Sequence, residues 1–132
     1  MRALASVLLI AVALALAACG GNGEEGAATG TTGQGAISGR AVFTSSGCGN
    51  CHTLQAAGTT GMVGPNLDEQ LASDAEEAGE PLAEFTRESI VDPGAFVAEG
   101  FSDGVMPTGL GDQLSDQELD ALVGFLVQSV GG

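Results

Sequence analysis

The stretch that decides this chain is SSGCGNCHTLQ, residues 45–55. It holds Cys48, Cys51 and His52, two of the three cysteines and the only histidine in 132 residues. Such a group could be a redox dithiol, part of a zinc clamp, or the seat of a covalently held cofactor, and its surroundings must decide. A thioredoxin-like dithiol sits beside a βαβ pattern. Here no run alternates with period two for long enough to make a convincing strand. A structural zinc site closes with four ligands, whereas the domain offers two thiols and one imidazole, with Cys51 and His52 adjacent.

Working outward toward the N-terminus, Met1 and Arg2 make a short positive start. Residues 3–18 are small and apolar, broken only by Ser6. This is the pattern of a secretory signal peptide, and it falls short of the about 20 residues a membrane span needs. The run ends in LAAC, Leu16 to Cys19. That tetrapeptide resembles the lipobox of bacterial lipoproteins, in which the cysteine is acylated and becomes the mature N-terminus. The alternative is a plain signal peptide cut nearby. The segment after Cys19, GGNGEEGAATGTTGQG, has no apolar period and reads as a flexible tether. Its typical reach is about 20–25 Å, and roughly 55 Å when stretched. The expected organisation is a signal peptide over 1–18, a lipid-anchored Gly-rich tether over 19–36, and a folded domain over 37–132. The lipid on Cys19 would hold the chain on a bacterial membrane, outside the cytoplasm.

Composition removes other classes. The formal charge is −14 with only three basic residues, Arg2, Arg40 and Arg87. Nucleic-acid binding needs cations to neutralise phosphates, so that class is excluded. An acidic surface suits cationic partners, or simply solubility. Five Phe with no Tyr or Trp make a thin core, and small domains with thin cores are often held together by a metal or cofactor.

The elements read as helices joined by Gly/Pro-rich loops. Residues 38–46 form a short helix capped by Ser38, with Gly39 and Phe43 sharing a face. In LSDQELDALVGFLVQSV, Ser115 and Glu118 make a capping box. Leu119, Leu122, Val123, Leu126 and Val130 then form one stripe flanked by Phe125. EPLAEFTRESIVDP reads as a middle helix with Pro81 in its first turn and Pro93 beyond its end. Leu82, Phe85, Ser89 and Ile90 would face inward. Residues 68–80 are acidic and give no firm reading. The class is all-α, with three to five short helices, and loops this long in a small domain usually have a function.

In an exported all-α domain, C-x-x-C-H is the attachment signature of c-type haem. The two thiols add across the haem vinyl groups and the histidine follows at once. Over residues 37–130 the chain resembles class I monohaem cytochrome c. The resemblance rests on CGNCH at 48–52, GPNL at 64–67, DGVMPTG at 103–109, Gly39 and Phe43 on the first helix, and Leu122 and Phe125 on the last. It implies one covalent haem c in a small cytochrome c fold. The first and last helices would cross where a glycine admits an aromatic, with Phe43 and Phe125 packed at the crossing and against the haem edge.

The same resemblance implies that His52 ligates iron, that the Pro65 carbonyl accepts the imidazole N–H, and that Leu67 and Leu54 contact the ring. Pro107 would shape the loop opposite. For the second axial ligand the chain has no further His and no Lys. Met1 leaves with the signal peptide, so Met62 and Met106 remain. The resemblance places GPNL on the His52 side and so points to Met106, whose thioether raises the potential. Arg87 and Arg40 are the charged candidates for the haem propionates and could equally be surface residues.

The implied function is single-electron carriage by Fe(II)/Fe(III) cycling in a respiratory chain, with redox proteins that carry a basic docking patch as partners, such as a terminal oxidase or a quinol-oxidising complex. With both axial positions filled, no enzymatic chemistry is expected. Two other roles stay open: a haem subunit of a larger respiratory or dehydrogenase complex, and a peroxidase-like or gas-binding protein.

Overall fold

The chain enters its first helix at Ser38, whose hydroxyl accepts from the Ala41 N–H. The computed structural model describes residues 36–131. The expected signal peptide, the lipid on Cys19 and all of the tether but its last residue lie outside the described residues. Helix α1 spans Gly39–Ser45, α2 Leu67–Ala78, α3 Leu82–Val91 and α4 Asp116–Val130. Between α1 and α2 lies one antiparallel hairpin, β1 Thr53–Leu54 and β2 Thr59–Thr60, in register Thr53↔Thr60 and Leu54↔Thr59. The expected all-α class is observed. The hairpin, two residues per strand, is too short to leave a period-two signal.

Local chemistry sets the ends of each helix. Helix α4 has the expected capping box: Glu118 N–H donates to the Ser115 hydroxyl, and Ser115 N–H donates to the Glu118 carboxylate at 2.9 Å. Pro81 is the N-cap of α3, one residue before the first turn, and Pro93 follows the C-cap Asp92. The unassigned acidic segment is helix α2. Asn66 caps it, Asp68 and Glu69 sit in the first turn where the helix dipole favours negative charge, and Gly79 closes it in the left-handed region.

The core lies between α1 and α4, with α2 and α3 packed beside them. Phe43 and Leu54 are fully buried, and Leu122, Val123 and Leu126 face them from α4. Gly39 is what lets α1 and α4 meet. A Cβ there would lie 2.0 Å from the Ala121 carbonyl oxygen and 2.5 Å from Phe125 Cβ. One turn further along α1, Phe43 meets Phe125 edge-on, with centroids 6.1 Å apart and planes at 63°. The expected crossing is therefore present, with its glycine and its aromatic pair.

Helix α3 buries Phe85, Thr86 and Ile90, while Leu82 and Ser89 are half-buried. The inward Thr86 was not foreseen. Its hydroxyl donates to the Leu82 carbonyl at 2.6 Å, which satisfies it without a partner outside the helix.

Candidate functional site

The CGNCH segment leaves the end of α1 through Gly47, whose φ of 77° turns the chain where other residues would be strained. Cys48–Asn50 then make one 3₁₀ turn, and the N–H groups of Cys51 and His52 both donate to the Cys48 carbonyl, at 3.2 and 3.0 Å. This winding sets Cys48, Cys51 and His52 on the wall of one cleft of about 360 Å³. That volume lies in the range of cofactor sites, about 300–1,000 Å³. A smaller cavity of about 90 Å³ shares Cys48, His52, Leu67, Leu71 and Met106 with the cleft, and Phe43, Leu122 and Leu126 close its core side.

The loop after the motif folds back on it. Val63 and Gly64 both donate N–H to the Cys51 carbonyl, and the Thr53 hydroxyl donates to the Gly61 carbonyl. The return brings Pro65 beside the imidazole, where His52 Nδ1 lies 2.9 Å from the Pro65 carbonyl oxygen. A carbonyl can only accept, so Nδ1 carries the proton and Nε2 keeps its lone pair for a ligand. Gly64 passes against the ring itself, since a Cβ there would lie 2.6 Å from His52 Cε1.

The other expected residues can be placed one by one. Pro65, Leu67, Met106 and Pro107 line the cleft together with the CGNCH residues. Met62 does not line it and is 89 % exposed. Leu54 departs from expectation. It is fully buried in the core and is not among the cleft-lining residues, and its strand β1 packs against α2. Neither described arginine reaches the cleft. Arg87 of α3 is paired with Asp120 of α4, and Arg40 points to the Ala57 carbonyl at 3.5 Å.

Sequence reasoning missed Phe96, Phe101 and Asp74, all of which line the cleft. Phe96 packs edge-on to Phe85 with centroids 5.1 Å apart. The available signal was scarcity: in a chain with five aromatics, each loop phenylalanine marks a surface that must be buried against something.

The chemistry of the donor set narrows the options. Burial pushes the Cys48 thiol pKa up, with a smaller upward push from Cys51, against a lowering by a backbone hydrogen bond. A raised pKa keeps the Cys48 sulfur in its thiol form. Among the described residues, no group of three or more His, Cys, Asp or Glu could hold a metal ion.

The family model for cytochrome c matches residues 36–129. The chain belongs to the cytochrome c family. No curated protein matches it. Cytochrome c domains bind covalently attached haem c, typically one each, and carry electrons. The residues of this cytochrome c fit that group. Two thiols on one turn would be available to its vinyl groups, an imidazole held by the Pro65 carbonyl lines the same cleft, and the walls are apolar, with Leu67, Leu71, Phe85 and Phe96 among them.

Proposed function

We propose that this cytochrome c is a lipid-anchored, extracytoplasmic carrier of single electrons, with His52 and Met106 as the axial ligands of its haem iron. When bound, the haem supplies the one-electron couple. The chain supplies attachment through Cys48 and Cys51, ligands, orientation and a dry surround. The Pro65 carbonyl holds the His52 ring in one orientation and raises its basicity as a ligand. The apolar wall of Leu67, Leu71 and Phe85 keeps water from the ring.

The observation that carries the ligand assignment is the contrast between the two methionines. Met106 lines both cavities beside His52, while Met62 stands in solvent. With His52 and Met106 both ligating, the metal would have no open site for a substrate, in keeping with a carrier rather than an enzyme. The chain's charge of −14 supports a partner that presents a basic docking patch, such as a terminal oxidase or a quinol-oxidising complex in a respiratory chain. The LAAC tetrapeptide supports acylation at Cys19.

Absorption spectra of the haem-loaded protein and its Met106→Ala and Met62→Ala variants test the reading. The expected outcome is a sulfur–iron charge-transfer band in the oxidised wild type that survives Met62→Ala and disappears in Met106→Ala. Carbon monoxide should bind only the reduced Met106→Ala protein. Rapid carbon monoxide binding by the wild type at neutral pH, or a band retained in Met106→Ala, defeats the proposal. Electron-transfer rates that do not fall as salt rises would remove the basic partner.

A further inference from the structure

The described cleft-lining residues include two carboxylates, Asp74 and Asp103, and no arginine or lysine. The haem brings two more carboxylates of its own. Both described arginines are engaged elsewhere, Arg87 with Asp120 and Arg40 toward a backbone carbonyl. With haem bound, the carboxylates facing this space would have no arginine or lysine among the described lining residues to balance them. In a partly desolvated site, like charges disfavour one another's ionised forms.

We propose that Asp74, half-buried on the cleft side of α2, is a proton-binding group coupled to the haem, so that the protein takes up a proton with its electron. This rests on the electron-carrier reading. The balance is direct. One electron arrives from the donor protein, the net positive charge at the metal falls by one, and the Asp74 carboxylate binds a proton from water. Oxidation reverses both. Asp103 serves less well because it is exposed, so solvent screens it.

The charged neighbours on the packed elements leave Asp74 to respond in this way. On α2 itself Glu77 bears on it and, after burial, pushes its pKa further up. On α3, Glu84 and Glu88 act on Glu80, and Arg87 is drawn to Asp120 of α4. On α4, Glu118 is tied to Ser115, and Asp116 lies exposed in the first turn. Strand β1, the remaining element beside α2, carries Thr53 and Leu54 and nothing that titrates. No cation on these elements is positioned to hold Asp74 ionised.

The sign follows from charge. Ionised Asp74 favours the oxidised haem and lowers the midpoint potential, whereas protonated Asp74 does not. The potential should therefore fall with rising pH across a window above the ordinary aspartate range. The slope is bounded at about 59 mV per pH unit, the one-electron equivalent of a tenfold change.

Spectroelectrochemical titration of the haem-loaded protein as a function of pH is the test. Asp74→Asn should flatten the slope, match the wild type at the acid end and lie above it at the alkaline end. Asp74→Glu should restore the slope. Glu76→Gln, which removes the same charge from the exposed face of α2, should leave it intact. A wild-type potential that is flat over this range overturns the proposal, as does a slope that persists in Asp74→Asn. The same samples are checked for the methionine–iron band and for carbon monoxide binding. A normal band without carbon monoxide binding means that only the proton coupling has failed. Carbon monoxide binding by the wild type means that the carrier reading has failed.

Discussion

Replacing Gly39 by alanine would place a methyl group 2.0 Å from the Ala121 carbonyl oxygen and 2.5 Å from Phe125 Cβ. Real Cβ atoms keep at least 3.0 Å from such neighbours, so α1 and α4 would have to part by roughly 1 Å. A gap of that size forfeits about a quarter to a half of each dispersion contact across it. The Phe43–Phe125 pair would be among the losses. Overpacking of this kind costs about 1–3 kcal/mol, and the upper end applies because a helix carbonyl cannot rotate aside. Alanine recovers up to about 1 kcal/mol of helix propensity. The net loss is about 2 kcal/mol, or a midpoint about 8–16 °C lower for a domain of this size.

Gly124 on α4 is the control. A Cβ there meets only Gln128 Nε2 at 4.0 Å, so alanine should raise stability by about 0.4–1 kcal/mol. Thermal unfolding of the haem-loaded proteins, followed by far-ultraviolet circular dichroism, compares the two. A Gly39→Ala protein as stable as wild type, or a shift of the same sign in both variants, would refute the close-crossing argument.

Two further outcomes follow from the site and the caps. Gly64→Ala would press a methyl group 2.6 Å from His52 Cε1 and force the ring off the Pro65 carbonyl. Haem stain should persist on denaturing gels while the reduction potential shifts from wild type, and an unchanged potential would show that the ring is not held there. Ser115→Ala should cost α4 about 1 kcal/mol, read as a lower denaturant midpoint with unchanged slope. The Glu118 pKa is lowered by its bonds from Ser115, so its contribution is present above the unfolded-state pKa and fades as pH falls through the folded one. Glu118→Gln should accordingly narrow the stability gap between neutral and acid pH, and an unaltered acid limb would contradict the capping box.

The parts of this protein that could be read from its sequence are those fixed by local chemistry. Ser38, the Ser115–Glu118 box and the Pro81–Pro93 pair announce three helices, because caps and prolines act within a few residues. Helix α2 carried comparable signals in Asn66, Asp68, Glu69 and Gly79. Its buried face, however, is Leu71 and Ala75, and alanine marks an apolar stripe faintly. Cys48, Cys51 and His52 were legible because their chemistry depends on adjacency. Asp74, Phe96 and Phe101 reach the cleft through helix packing and an aperiodic loop. No spacing rule carries that placement, so it becomes visible only in three dimensions.

The return of the chain from Cys51 to Gly64 has a consequence for how such a protein can vary. Both ends of this excursion are pinned to each other by the Val63 and Gly64 bonds to the Cys51 carbonyl, and Thr59 and Thr53 tie its sides to the His52 and Gly61 carbonyls. The tip, Gln55–Gly58, takes no part in the cleft lining. Closing a flexible loop of twice the length costs only about 0.6 kcal/mol more. Gln55 N–H donates to Asp68 and Ala57 packs on the core, but an added Cβ at Gly58 meets nothing within 4 Å, so extra residues grafted at Gly58 would leave the imidazole's station unmoved. The hairpin is a permissive port, where a reporter or a new recognition sequence can be written beside a redox centre without disturbing it.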